Sequence, residues 1–196
     1  MKELSESKQK IFNSALELFA SKGYTSCSMS MIAEAVGIQK ASLYSHFKNK
    51  KEIFRLILET IISKHGKSVN RLIDNAAELN SISYLQNIFY DYINFCNKNI
   101  EVDFWTRFYY FPPEELEEEI LFKTHEYETG FQSRLIKIIQ TGINKGEITD
   151  RNPKDIMISY YYMMLGFVMS LNFYRDKDIK PDADSCISVF LDGIKK

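Results

Sequence analysis

The sequence predicts an all-α fold. Apolar residues recur at helical spacing along nearly the whole chain, and no alternating apolar–polar segment is flanked by hairpin turns. With 196 residues, 45% hydrophobic and 26% charged, the chain has the composition of a soluble globular protein of one or two domains with ample core-forming residues.

Ile11, Ala15, Leu18 and Phe19 share one face of a first helix, which Gly23 and Tyr24 close. Ser28 is a good N-cap for a short second helix carrying Ile32, Ala33 and Val36, and Gly37 terminates it. Gln39 can cap a third helix through Leu43 to His46. A fourth starts near Asn49 and continues through Ile53, Phe54, Ile57 and Ile61 to about residue 73. A turn of about three residues with a glycine joins the second and third helices, which is the pattern of a helix-turn-helix.

Charge supports that reading. The net charge is -1, yet residues 1–66 hold ten Lys and Arg against six Asp and Glu, leaving fifteen against twenty for residues 67–196. Basic charge gathers at the front, as expected if one end meets a polyanion. In "IQKASLYSHFKNKKEIF" the lysines at 40, 48, 50 and 51 lie around a Tyr, a His and a Phe. If the third helix enters a DNA major groove, Leu43 and Phe47, four apart, face inward. Lys40, Ser42, Tyr44, Ser45 and His46 are left for the outer faces. Lys48, Lys50 and Lys51 sit where the next helix begins, and there free backbone N–H groups and the helix dipole add to the pull on a phosphate.

The segment "ALELFASKGYTSCS" followed by "MSMIAEAVGIQKASLYSHFKNKKEIF" resembles the N-terminal DNA-binding domain of the TetR family of bacterial transcriptional regulators, over roughly residues 8 to 56. By that resemblance Ser28, Ser42, Tyr44, His46 and Lys50 touch phosphates. Lys40, Ala41 and Ser45 face base edges, with Gln39 at their margin. Position 28 commonly holds Thr in the family, and Ser keeps the hydroxyl. Position 41 is often Gly, and Ala41 stays small. Position 45 is often larger or aromatic, so Lys40 is the better candidate for reading guanine.

Beyond about residue 75 only architecture carries over. A polar break at 75–81 precedes a fifth helix with Tyr84, Leu85, Ile88, Tyr92, Ile93 and Phe95. In "FWTRFYYFPPEELEEEI" an aromatic block runs into Pro112 and Pro113, and an acidic run opens the next helix, which continues to Gly142 and Gly146. Such aromatic density either fills a core or lines an apolar cavity with Tyr and Trp as polar handles. The resemblance implies a C-terminal domain that binds a small effector, which makes Phe104, Trp105, Arg107, Phe108, Tyr109 and Tyr127 cavity candidates.

"PKDIMISYYYMMLGFVMSLNFY" is apolar almost all round, as a helix buried on one side in its own domain and on the other against a partner would be. A final helix, roughly Ala183 to Ile194, could complete a two-fold four-helix interface. Met163, Gly166, Phe167, Ser170, Phe190 and Ile194 are the candidate dimer residues. The resemblance implies a homodimer offering two recognition helices to the half-sites of a palindromic operator. The expected division is a helix-turn-helix domain over 1–48 and a helical effector-binding and dimerisation domain over 49–196, whose first helix, about 49–73, links the two.

Other classes find less support. Glu114 to Glu119 and His125-Glu126 suggest paired carboxylates or a metal site, but no second histidine follows at the zinc-binding spacing, and no P-loop, GxSxG or GxGxxG is present. No catalytic residue, metal or cofactor is expected. An architectural DNA-binding protein without an effector would share the front end and need no cavity. Cys27, Cys96 and Cys186 lie far apart, the N-terminus lacks the apolar run of a signal peptide, and Tyr160 to Leu171 is too short to span a bilayer. A cytoplasmic setting is therefore expected, with any redox role for Cys27 left open.

Overall fold

The computed structural model describes residues 5–75, 80–97, 99–171 and 178–196. Of the expected polar break at 75–81, residues 76–79 lie outside that set, as do residues 172–174 of the long apolar segment. Among the described residues the regular structure is helical, with one isolated β-bridge between Ile148 and Lys195.

Local chemistry sets the front helices. Helix α1, Glu6–Lys22, starts where Ser5 Oγ accepts the Lys8 N–H at 3.5 Å, and buries Ile11, Phe12, Ala15, Leu16, Phe19 and Ala20. It stops at Gly23, whose φ of 81° favours glycine. Helix α2, Met29–Val36, is capped by Ser28 Oγ on the Met31 N–H at 3.2 Å and closed by Gly37 in the left-handed region. Helix α3, Lys40–His46, departs from expectation at its start: Gln39 holds the cap position, but its side chain makes no capping hydrogen bond. Before helix α4, Lys50–Asn75, Asn49 Oδ1 accepts the Glu52 N–H at 2.9 Å while the Glu52 carboxylate accepts the Lys48 N–H at 2.7 Å, a variant of the capping box.

Helix α5 spans Ser81–Cys96 and α6 spans Ile100–Tyr110. After Pro112 and Pro113 a 3₁₀ turn, Glu114–Leu116, leads into α7, Glu117–Asn144, whose acidic first turn suits the positive end of its dipole. Helices α8, Pro153–Leu171, and α9, Lys180–Ile194, follow. The last helix begins three residues before the expected Ala183, because Pro181 is well suited to a first helical turn.

The chain divides into two compact units, Met1–His65 with Asn99–Thr124 and Gly66–Lys98 with His125–Lys196. In the first, α1 packs against α2 and α6, and α2 against α3. Its centre is aromatic: the Phe54 ring lies 4.8 Å from Phe108, 5.2 Å from Phe104 and 5.5 Å from Phe19. Each fully buried Phe contributes about 1.5–3 kcal/mol of apolar burial. Outside this core runs a ladder with a spacing of four residues on both sides. Lys51 Nζ donates to the Glu115 carbonyl at 3.2 Å, the Arg55 guanidinium to the Glu119 carboxylate at 2.8–2.9 Å, and Lys123 Nζ to Glu59 at 2.5 Å.

In the second unit α5 packs against α8 and α9, and α8 against α9. The buried Tyr160 hydroxyl donates to the Leu85 carbonyl at 2.7 Å, which satisfies the phenol inside an apolar core. Gly142 permits a close approach: a Cβ there would lie 2.6 Å from Ile148 Cδ1 and 2.7 Å from Ser81 Cβ.

Candidate nucleic-acid interface

Helix α3 buries only Leu43, with Phe47 buried just past its end. Two apolar anchors four residues apart dock one face of a seven-residue helix, and the other faces stay outside. Gln39, Lys40, Ala41, Ser42, Tyr44 and Ser45 are all exposed, Tyr44 to 47%, and His46 is half-buried. A tyrosine that exposed contributes little to packing, so its ring and hydroxyl remain available to a partner. Ser28 is exposed too, and while its Oγ accepts the α2 capping bond it keeps a proton to donate.

Two expected contacts have further ties. Ser45 Oγ donates to the Ser42 carbonyl at 2.7 Å, so its proton is turned back onto the helix and its acceptor side faces out. Lys50, expected at an open helix start, is half-buried, with Nζ 2.7 Å from the Tyr24 carbonyl and 4.0 Å from the centroid of the Tyr24 ring. One of its three donors is taken and two remain. Sequence reasoning missed this seat because Tyr24 lies twenty-six residues away, where no local pattern signals a contact. Nearby, Cys27 is buried, and burial pushes its thiol up against a lesser opposing pull from Lys50. A thiol held protonated is the reverse of what a redox sensor needs.

Residues 11–57 match the sequence model of the bacterial regulatory proteins, tetR family. Across nearly its whole length the chain is similar to the biofilm operon icaADBC HTH-type negative transcriptional regulator IcaR of Staphylococcus epidermidis, at 32% identity over 191 residues, 94% of this chain and 98% of that one. The chain belongs to the TetR family of transcriptional regulators. Solved structures similar in fold include the ketosteroid transcriptional regulator KstR2 of Mycobacterium tuberculosis, with a TM-score of 0.74 and 17% identity, covering 99% of this chain and 97% of that one. Another is the transcriptional regulator FadR from Bacillus subtilis in complex with stearoyl-CoA, with a TM-score of 0.71 and 20% identity over 95% and 98% of the two chains. At those identities the likeness is one of fold.

This TetR-family chain is thus a DNA-binding transcriptional regulator and not an enzyme. Among its described residues no helix is long and apolar enough to cross a membrane, and no group of three or more His, Cys, Asp or Glu is placed to hold a metal ion.

The structure sorts the regulator's aromatic block by helix face. Phe104 and Phe108, four apart on α6, are 0% and 2% exposed and pack in the first unit's core, the first of the two roles that the aromatic density left open. Arg107, also expected there, is turned to the end of α1, where Nε donates to the Ala20 carbonyl at 2.9 Å and a terminal nitrogen to Ser21 at 3.2 Å. It satisfies carbonyls that a helix C-terminus leaves open. Trp105 and Tyr109 lie on another face, half-buried, their rings stacked at 6.0 Å. Trp105 also stacks at 6.0 Å on His65, a buried residue of α4 absent from the sequence-based set. Burial brings that imidazole down to about 4. Tyr127 belongs to the second unit, where its ring lies against Gly66 and burial pushes its phenol up.

The regulator's candidate dimer residues divide as well. Phe167 and Ile194 are largely buried within the second unit itself, Phe167 with its ring 5.8 Å from Phe89. Gly166 is exposed, and Met163, Ser170 and Phe190 are half-buried. The apolar side chains standing outward on α8 and α9 are Ile158, Tyr162 and Val189, at 39%, 64% and 74% exposure.

Proposed function

We propose that the protein is a homodimeric repressor that occludes an operator until a small effector releases it. The observation that carries the DNA side of this reading is the outer surface of α3, where six consecutive-range residues from Gln39 to Ser45 stand exposed around a single buried Leu43. Ser28, Ser42, Tyr44, His46 and Lys50 serve as phosphate contacts, Lys40, Ala41 and Ser45 as base contacts, and Gln39 at their edge. Repression is supported by the similarity to IcaR, a negative transcriptional regulator.

In this reading residues 1–48 read the DNA, residues 49–196 bind effector and partner, and α4 is the lever, its residues shared between the two compact units at His65 and Gly66. Partners meet through the outward side chains of α8 and α9, Ile158, Tyr162, Gly166 and Val189, with Met163, Ser170 and Phe190 beside them. The effector is a partly apolar small molecule, with Trp105, Tyr109 and Tyr127 as candidate contacts. The stearoyl-CoA complex of FadR makes long-chain acyl compounds reasonable first compounds to screen. An effector that prefers the non-binding spacing of the recognition helices weakens DNA affinity by the factor by which DNA weakens its own.

Selection from random duplex DNA, with the winner titrated at two salt concentrations, tests the reading. A palindromic consensus bound by a dimer supports it. Binding without any enriched sequence, collapsing with salt, would replace it by the architectural alternative. Within the same assay Tyr44→Phe weakens all sequences alike, whereas Lys40→Ala shifts which sequence is preferred, a contact of about 1–3 kcal/mol.

A further inference from the structure

We infer that Lys8, on the first turn of α1, is a further phosphate contact, so that the DNA footprint extends beyond the helix-turn-helix onto the start of the first helix; this rests on the DNA-binding reading above. On α1 the positions Ile11, Phe12, Ala15, Leu16 and Phe19 form the buried stripe, and Lys8 continues it one turn earlier. Where that stripe leaves the core the chain places an ammonium instead of another apolar group. Lys8 is half-buried, and its Nζ lies 5.2 Å from the centroid of the Phe47 ring. Phe47 is the residue that ends α3, and Lys48 beside it is exposed.

Two contrasts distinguish this lysine from an ordinary solvated one. Lys10, two residues on, is paired with Glu6 at 2.8 Å, whereas none of the ion pairs among the described residues involves Lys8. Among the described residues its ammonium has no carboxylate within ion-pair distance, and it lies next to the end of α3. Lys50, already a candidate phosphate contact, is also seated over an aromatic ring, at Tyr24. A ring positions an ammonium without consuming its N–H donors, so part of the ordering entropy is spent in advance and donors are kept for an anion. Lys8 against Phe47, just past α3, and Lys50 against Tyr24, in the loop before α2, thus set one cation beside each end of the α2–α3 segment.

A cation at the negative end of the α3 dipole could act in folding alone, and the salt dependence of DNA binding separates the two roles. The full-length wild type, Lys8→Gln, Lys8→Arg and Lys10→Gln are titrated with a duplex of random sequence between about 50 and about 200 mM salt. Lys8→Gln is expected to reduce the slope of log affinity against log salt by about 0.9, one phosphate contact. Lys8→Arg and Lys10→Gln keep the wild-type slope. An unchanged slope in Lys8→Gln, or an equal loss of affinity at every salt concentration, overturns the inference and leaves Lys8 as a helix-end cation. Absence of binding by the wild type would instead bring down the DNA-binding reading itself. Melting temperatures of the four proteins show whether a lost slope reflects lost folding.

Discussion

The guanidinium of Arg55 forks onto the carboxylate of Glu119, with Nε at 2.9 Å from both oxygens and a terminal nitrogen at 2.8 Å from one. The pair is the middle rung of the ladder between the start of α4 and the start of α7. Arg55 is 48% exposed and Glu119 24%, so water and salt screen the interaction. A double-mutant cycle on Arg55→Ala and Glu119→Ala is expected to return a coupling of about 0.5–1 kcal/mol in chemical denaturation. The hydrogen bond from Arg55 also holds the Glu119 carboxyl below its usual range. Its contribution is therefore present above the ordinary carboxylate pKa and fades as the pH falls through the lowered one. A coupling of zero at neutral pH and low salt would show that the fork is incidental.

His65 makes stability depend on pH in a separate window. An unfolded imidazole titrates near 6.5, while burial under Trp105 brings the folded one down to about 4. The unfolded chain takes up the proton first, so stability is complete above pH 6.5 and declines as the pH falls towards 4, by a total on the order of 3 kcal/mol. Denaturation of wild type and His65→Gln between pH 6.5 and 5, before most carboxylates titrate, checks the point. The wild-type curve should slope and the variant curve should be flatter.

Gly142→Ala tests the close approach on α7. The new methyl would meet Ser81 and Ile148 within 2.8 Å, and Ser81 sits at the head of α5 with little room to retreat. Overpacking of this kind costs about 1–3 kcal/mol. Helix propensity works the other way by at most about 1 kcal/mol. A net loss of stability in thermal melts is expected, and a gain would mean that the junction relaxes freely.

Arg107→Ala is expected to act on stability and not on effector response. Its hydrogen bonds end at the carbonyls of Ala20 and Ser21, and their removal uncaps α1 at a cost of about 1 kcal/mol. Once an effector is known, its potency in a DNA-release assay should be the same for this variant as for wild type. A changed potency would return Arg107 to the binding cavity.

What could be read from the sequence was what the chain decides locally. Ser28, Gly37 and Asn49 act on backbone groups within four residues, so the front helices follow from side-chain type and spacing. Leu43 and Phe47 were assignable to the inside by their spacing of four, which left the exposed face of α3 for DNA. The relationships that escaped are distant ones: Lys50 to Tyr24, Arg107 to Ala20 and Arg55 to Glu119 are separated by 26, 87 and 64 residues. The aromatic block left two roles open, core or cavity, because composition alone does not separate them. The spacing of four between Phe104 and Phe108 puts those two on one face of a helix, apart from Trp105 and Tyr109, and that face packs in the core.

The aromatic centre of the first unit bears on how such regulators can evolve. Phe19 and Phe54 are closed over by Phe104 and Phe108, residues of α6 that arrive much later in the chain. A recombination event that carried only the leading helices to a new partner would leave those rings facing water and forfeit several kcal/mol of apolar burial. The DNA-reading head is therefore not a cassette with one seam. To be inherited intact it must travel with the α6 segment, or land on a recipient that offers the same two phenylalanines.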